Sequence, residues 1–526
     1  MQKQEELIYN LLLTHSEING QKVALVDGER KVTYRKLLDS VTRLGCALIG
    51  KGIKPGDRIA TLAPPCIEFW LCFLACTAIG AQWFGLNPRY KKREFSIFIE
   101  DAKPSLIFTF SPFDGRNYFR EMELVVREAN LEQSCKVVEF ASASSDFQSF
   151  INCLEECSVP ASRAIFFTAT DQVKETDTAA IVYTSGTTGR PKGAMLSHAA
   201  MRRSAEASVA WMGEALEKVI MAFPINHIGS LNAIGMNTLT YGGTIYFIKR
   251  FDIGEILELG QEEDISFAGH NQTTLRMMLD YPGFSLDHLS ALKLLIHGGS
   301  RTDADTLKTF LSLETKISSV YAQTETCGYV LRSDFCAALD VMANTLGKPI
   351  DGVTARIRAP DGYNDLSDGE VGELQLQFDW PFSGYLGNSS ATKNVFTDDH
   401  FLRTGDLCIR RKDGNYEFVE RVNNTFKSGG YTIYPTEIEN VILEHPGTGL
   451  AAVIPVDDKK FGKVGFAFVS PQKGTRLDRI ELLEFLKNEL ANYKVPKELS
   501  IVESLPTLAN TKIDRQLLKE IADGNT

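Results

Sequence analysis

The run Thr184-Ser185-Gly186-Thr187-Thr188-Gly189-Arg190-Pro191-Lys192-Gly193 is the densest chemical signal in the chain. It sets four hydroxyls, three glycines and one lysine directly after the apolar run Ala179–Tyr183. Glycines let a backbone turn so that successive N–H groups face one anion. The hydroxyls donate further hydrogen bonds, and Lys192 adds a compact point charge. Such a loop suits the holding of a phosphate chain. Its spacing is not GxxxxGK[ST], so it is not a Walker loop. Ordinary surface loops also use turn residues, but rarely at this density behind a buried strand.

More motifs follow in order. They are Phe223–Gly229 (FPINHIG), His297–Ser300 (HGGS), Tyr321–Glu325 (YAQTE), Phe401–Leu407 (FLRTGDL), Lys427–Glu439 (KSGGYTIYPTEIE) and Lys512–Arg515 (KIDR). With the phosphate loop, this series resembles the adenylate-forming superfamily of acyl-CoA synthetases, peptide-synthetase adenylation domains and beetle luciferases. The resemblance runs from about Val32 to Lys519, nearly the whole chain.

What the resemblance implies is a two-step reaction. A carboxylate attacks the α-phosphate of ATP to give acyl-AMP and pyrophosphate, and a thiol, usually that of CoA, then takes the acyl group. An anion attacking a polyanion needs cations and donors around the phosphates rather than a protein nucleophile. By the same resemblance, Lys512 stabilises charge on the α-phosphate and the substrate carboxylate, and Thr324 touches the α-phosphate. Glu325, with Thr184, holds Mg²⁺, which usually takes one or two carboxylates beside phosphate oxygens. Thr184, Ser185, Gly186, Thr187, Thr188, Gly189 and Lys192 cradle the phosphates. Gly298, Gly299, Ser300, Tyr321 and Ala322 border the adenine and the acyl carbonyl. Asp406 and Arg421 bind the ribose, and His227 lies by the acyl carboxylate. Lys427, Gly429 and Gly430 line the path of the pantetheine arm, the glycines because they lack Cβ atoms. The expected cofactors are ATP, Mg²⁺ and CoA as co-substrate.

Four positions depart from the superfamily pattern. Ala322 stands for a glycine, and its methyl group would intrude near the acyl carbonyl. Asn423 stands at the hinge position usually held by Asp or Lys, and Asn tolerates unusual φ and ψ. Thr511 replaces the glycine before the lysine, and Glu420 replaces a common glycine before Arg421. The segment Gly269–Thr273 (GHNQT), part of the expected acyl pocket, is polar. A long fatty-acid tunnel prefers an apolar lining, so the expected substrate is a small, medium or aromatic acid, with or without a polar substituent. A second reading is a stand-alone adenylation enzyme that loads a carrier protein. FPINHIG has no aspartate to hold an ammonium group, which argues against amino acids, and no carrier domain is expected beyond Thr526.

The elements that must position these residues form an α/β fold. Val32–Gly50 has helical apolar spacing, while Asp57–Leu62, Leu106–Phe110 and Ala179–Tyr183 read as short buried strands. Such alternation predicts parallel-type sheets with helices on their faces. The stretch Cys66–Leu86 approaches a membrane span in length, but its uncharged apolar core, Phe69–Ala81, is too short, so a buried core helix is expected. Gly369–Leu376, Leu407–Arg411 and Asn415–Val419 predict a β-rich subdomain. The expected C-terminal α+β domain has a helix at Pro435–Leu443, strands at Leu450–Val456 and Gly465–Val469, a helix at Asp478–Leu490 and a last helix from near Ile513. The boundary is expected within Glu420–Asn424, giving domains 1–421 and 422–526, with the smaller one moving about Asn423 between half-reactions.

Composition narrows the partners. The 526 residues exceed one ordinary domain. The formal net charge is −11, which argues against nucleic acid, because phosphate-backbone binders show a basic excess. From Val422 onward 13 basic residues nearly balance 14 acidic ones, so polyanions meet less repulsion there. The N-terminus MQKQEELIYN carries charges where a signal peptide needs an apolar core. A cytoplasmic location and reduced, buried cysteines are expected.

Overall fold

Ala179–Tyr183 forms the core of a strand, Thr178–Thr184, in the computed structural model. The structure describes residues 6–141, 163–184, 191–299, 301–335, 337–359, 362, 364–472, 474–508 and 513–524. Two compact units emerge. One gathers the described residues of Met1–Gly186, Arg190–Thr354 and Gln377–Leu402, and the other Ala355–Leu376 and Arg403–Thr526.

The first unit is built on two sheets. In a seven-stranded sheet, Lys136–Ala141, Leu106–Ser111, Arg58–Leu62, Gln82–Leu86 and Thr178–Thr184 run parallel. The strand Lys192–Ser197 then returns antiparallel to Thr178–Thr184, with Thr184 opposite Lys192, so the phosphate loop is the connection of a hairpin. Gly384–Tyr385 adds an antiparallel edge, Gly384 opposite Met195 and Tyr385 opposite Ala194. In a nine-stranded sheet the parallel centre includes Lys218–Met221, Phe267–His270, Leu294–Gly298 and Lys316–Ala322, with antiparallel strands at both edges. His270, Gly298 and Ala322 all lie at carboxyl ends of strands, where open α/β sheets bind ligands.

Helix Ile67–Ala78 is buried at every position and touches Gln82–Leu86 in one sheet and Val23–Asp27 in the other. An all-round apolar helix has no wet face to offer, so it packs between layers. Its Trp70 and the neighbouring Trp83 are fully buried. Among the described residues no helix is long and apolar enough to cross a membrane. A further core lies under helices Ile253–Glu262, Gln272–Leu279 and Ala304–Phe310, with Leu257, Leu275, Leu295 and Phe310 at its centre.

The second unit holds a four-stranded sheet that includes Thr354–Arg358, Val371–Gln377, Leu402–Arg410 and Tyr416–Arg421. A five-stranded sheet follows, in which the long hairpin Thr448–Asp458 and Gly462–Pro471 is the centre. Helices Pro435–Glu444 and Arg479–Glu489 cover one apolar core of this sheet, and Arg515–Gly524 covers another. The seven described cysteines are buried, and burial pushes the thiols of Cys66, Cys72 and Cys408 well up. Cys153, Cys157 and Cys336 lie outside the described residues.

Candidate active site

Phosphate-loop residues Thr184 and Lys192 face each other at the hairpin's open end, where the Thr184 hydroxyl donates to the Lys192 carbonyl (3.4 Å). Ser185, Gly186, Thr187, Thr188, Gly189 and Arg190 lie outside the described residues. Gly193 is required by packing, since a Cβ there would come within 2.8 Å of Ile181. The half-buried Lys192 sets its Nζ 5.2 Å from the centroid of the Tyr385 ring.

Glu325 lies in the short turn Thr324–Thr326, directly beyond the strand Lys316–Ala322. The turn is tightly specified. Gln323 N–H donates to the Thr326 hydroxyl, which donates to the Gly328 carbonyl, and Cys327 takes a left-handed φ of 58°. Phe382 N–H donates to the Glu325 carbonyl, and the Tyr385 phenol donates to Glu325 Oε1 at 2.6 Å. Thr324 and Tyr321 are buried, and Ala322 is half-buried at the strand end. Tyr385 therefore joins two sequence-predicted residues, Lys192 and Glu325, that come from different sheets.

Gly298 ends the strand Leu294–Gly298, where any Cβ would strike the Val320 carbonyl. Gly299 has φ +77°, a left-handed conformation that favours glycine. Ser300 lies outside the described residues. His227 caps the short turn Ile228–Ser230, its Nδ1 accepting from Gly229 N–H at 3.1 Å. That bond leaves Nε2 as the ring's N–H, the tautomer that can donate to a carboxylate. The π-helical stretch Leu231–Met236 follows; such widened turns gather at functional sites.

The polar segment 269–273 serves both a cavity wall and a helix end. Asn271 is a helix cap, its Oδ1 accepting from Thr274 N–H at 2.9 Å. Gln272 is tied to Asp303. The Asn271 carbonyl oxygen and the Gln272 amide thus serve local structure. The nearby cavity is apolar, bordered by Ile220, Phe223, Ile234, Ala268 and Leu289 together with His270. His270 pairs in register with His297 on the next strand. Burial lowers both imidazoles to about 4, so both are neutral near pH 7.

In the second unit Asp406 and Arg421 are opposite each other on antiparallel strands, joined by Arg421 Nε to Asp406 Oδ1 at 2.7 Å. Asp406 is almost fully buried (1 % exposed). Its backbone is set by Thr404, whose hydroxyl accepts from Asp406 N–H and donates to the Leu374 carbonyl. The departure Glu420 is buried too. Its carboxylate accepts from Arg421 N–H (2.7 Å), Asn424 Nδ2 (3.1 Å) and Thr436 N–H (2.7 Å). Asn423 lies in the short turn Val422–Asn424. Gly429 and Gly430 form the tip of the hairpin between Phe426–Ser428 and Tyr431–Ile433, with φ of 54° and 90°. Lys427 donates to the Thr432 hydroxyl. Thr511 and Lys512 lie outside the described residues. Next to them, Ile513 bridges to Thr507, and Arg515 pairs with the buried Glu439 (2.7 Å). Burial raises the Glu439 carboxyl, and Arg515 opposes that rise.

Sequence reading missed Tyr385. The Ser383-Gly384-Tyr385 run carries one weak signal, a glycine before an aromatic, and Gly384 does adopt φ +122°.

Comparison with known proteins gives the family and the fold. The AMP-binding enzyme family matches residues 14–386, and the AMP-binding enzyme C-terminal domain matches residues 437–512. The 2-succinylbenzoate–CoA ligase of Bacillus licheniformis is 29% identical over 511 residues, covering 97% of this chain and 99% of that protein. A feruloyl-CoA synthase of Amycolatopsis is 29% identical over 504 residues, covering 95% of each. The crystal structure of ATP-bound MatB from Rhodopseudomonas palustris is similar with a TM-score of 0.84 at 25% identity, over 98% of this chain and 99% of that one. The fold is shared as well with the o-succinylbenzoate CoA synthetase of Bacillus subtilis in complex with ATP and magnesium, at a TM-score of 0.81 and 24% identity over 97% and 99%. With its family match extending over most of the first unit, the chain belongs to the AMP-binding, adenylate-forming enzymes.

Proposed function

We infer that the protein is an AMP-forming acid–CoA ligase. It activates a carboxylic acid as acyl-AMP, releasing pyrophosphate, and passes the acyl group to the CoA thiol. The observation that carries this reading is the convergence of Lys192 and Glu325 on one tyrosine. It brings a cation to the face and a carboxylate to the hydroxyl of one side chain, beside the strand pair that flanks the glycine-rich run, where a phosphate chain with its metal would need them. CoA ligases among the relatives support the same chemistry.

Glu325 and Thr184 fit Mg²⁺. Among the described residues no group of three His, Cys, Asp or Glu could hold a metal alone. A single carboxylate is the donor set of an ion that arrives with phosphate oxygens and keeps its waters. Bound there, Mg²⁺ would neutralise phosphate charge. Lys192 and the phosphate loop would bind the β- and γ-phosphates. Asp406 would accept both ribose hydroxyls, oriented by Arg421. His227 would donate from Nε2 to the acid's carboxylate. Lys512 would neutralise charge at the α-phosphate as the new acyl–phosphate bond forms and pyrophosphate leaves. In the second step the thiolate attacks the acyl carbon past Gly429 and Gly430, and AMP leaves. The smaller domain, 422–526, would turn about Asn423 between steps, since Lys512 and the Gly-Gly hairpin serve the same centre in turn.

The substrate we favour is a small or aromatic acid. Gly269 and His270 line a small apolar cavity, and relatives are named for succinylbenzoate, ferulate and indoleacetate. The reading includes a cytoplasmic location, where ATP and CoA are supplied. An acid panel, assayed for pyrophosphate release with CoA and with a carrier protein as acceptor, tests it. Aromatic acids with CoA should lead; a clear preference for long saturated acids, or for the carrier protein, would reverse the respective assignment.

A further inference from the structure

Tyr385 does more than fill space. The residue is held from three directions. It pairs with Ala194 two residues beyond Lys192, its N–H donates to the Thr392 hydroxyl at 2.9 Å, and its ring packs edge-on to Phe382 at 4.9 Å. Phe382 in turn donates its N–H to the Glu325 carbonyl. Gly384 permits this path: its φ is +122°, and a Cβ would come within 2.6 Å of Thr392. The ring is buried at 8 % exposure. It therefore presents its face to Lys192 and its hydroxyl to Glu325 in a set geometry.

We propose that Tyr385 is a positioning residue for the metal. By donating to Glu325 Oε1 it leaves Oε2 as the single inward ligand, so the carboxylate binds the nucleotide's divalent ion through one oxygen. This rests on the reading of Glu325 as the Mg²⁺ carboxylate. One-oxygen binding matters for ion choice. Mg²⁺ demands a near-ideal octahedron and is held by few protein oxygens, whereas Ca²⁺ accepts a carboxylate through both oxygens at longer range. A carboxylate with one oxygen already engaged disfavours the two-oxygen mode. The same ring holds the Lys192 ammonium on its face. One side chain thus sets the spacing between the lysine of the phosphate loop and the metal's carboxylate, and preset geometry of this kind avoids reorganisation at the moment of reaction.

A purely packing tyrosine would need its ring and not its hydroxyl, so Tyr385→Phe separates the two roles. With Mn²⁺·ATP binding followed by calorimetry, Tyr385→Phe should weaken affinity about tenfold, the weight of one hydrogen bond to a charged group. The Mg²⁺ concentration for half-maximal pyrophosphate exchange should rise in step, and the Mg²⁺-over-Ca²⁺ preference should shrink, with the unfolding midpoint unchanged. Tyr385→Leu should in addition raise KM for ATP, because Lys192 loses its ring. A Tyr385→Phe protein with wild-type Mn²⁺·ATP affinity and wild-type ion preference overturns the proposal, as does a fall in every activity together with a lowered unfolding midpoint. Glu325→Gln serves as the control. If it leaves Mn²⁺·ATP affinity intact, the metal role of Glu325 itself fails and the proposal falls with it; if Glu325→Gln weakens affinity and Tyr385→Phe does not, only the role of Tyr385 is lost.

Discussion

Asp406 shows how a single residue is prepared for the task proposed for it. A carboxylate at 1 % exposure is costly to bury alone, and the Arg421 guanidinium at 2.7 Å offsets that cost. The pair sits in direct register across two strands, so its geometry belongs to the sheet and not to side-chain flexibility. Asp406→Asn keeps the volume and removes the charge. It should raise KM for ATP by about tenfold to a hundredfold, one or two hydrogen bonds to a charged group, and leave KM for the acid unchanged. Steady-state kinetics with each substrate varied checks this, and an equal rise in both KM values would reassign the residue to stability. Lys512 is the second case. Lys512→Ala should abolish acid-dependent pyrophosphate exchange while thioester formation from supplied acyl-AMP continues. Survival of exchange near the wild-type rate would remove Lys512 from the chemistry.

Elements were legible where an apolar run met a turn signal. The strands at 57–62, 106–110 and 179–183 and the helices at 32–50, 435–443 and 478–490 lie within a residue or two of Arg58–Leu62, Leu106–Ser111, Thr178–Thr184, Tyr34–Gly50, Pro435–Glu444 and Arg479–Glu489. The strand expected at 407–411 is instead Leu402–Arg410. Its first half alternates polar side chains that the sheet satisfies, Thr404 with Leu374 and Arg403 with Glu373, and such pairing is invisible along the chain. Tyr385 stayed hidden for a similar reason, since its partner Glu325 is 60 residues away. The GHNQT segment divides its work in a way the sequence does not show: Gly269 and His270 line a cavity, while the Asn271 carbonyl oxygen caps a helix. Glu420 is the informative departure. It replaces a common glycine and becomes a buried acceptor that caps helix Pro435–Glu444 through Thr436 N–H. Glu420→Gln turns one acceptor oxygen into an amide N–H₂ facing N–H donors. It should lower stability by about 1–3 kcal/mol, the range for an unsatisfied buried polar group. Denaturant unfolding followed by circular dichroism measures it, and a loss under a few tenths would mean that water replaces the cap.

At the scale of the whole molecule, charge enters through what is buried rather than through the net value of −11. In the proposed reading the phosphates would be met by local groups such as Lys192, while several histidines are held neutral inside. His198 is 1 % exposed, with Nδ1 accepting from Ile8 N–H at 3.3 Å, and His297 is 3 % exposed. Burial lowers both from 6.5 to about 4. Because the folded values lie below the unfolded ones, the unfolded chain binds more protons between them, and stability falls as pH drops from about 6.5 towards 4. Each histidine contributes up to about 3 kcal/mol over that window, as an upper bound from a shift of this size. The folded protein should therefore show its highest denaturant midpoint near and above pH 7 and a steep decline below pH 6, well before the carboxylates protonate. His297 adjoins the Gly298-Gly299 turn of the site, so its ionisation disturbs the same strand end that the nucleotide is expected to use. His297→Gln removes one titrating group from this set. Its midpoint should vary less steeply between pH 6.5 and 4.5 than that of the parent protein, even if it starts lower at pH 7.5. Parallel midpoint curves for parent and variant would show that His297 takes up its proton without cost in the folded state, and the acid limit would then belong to other groups.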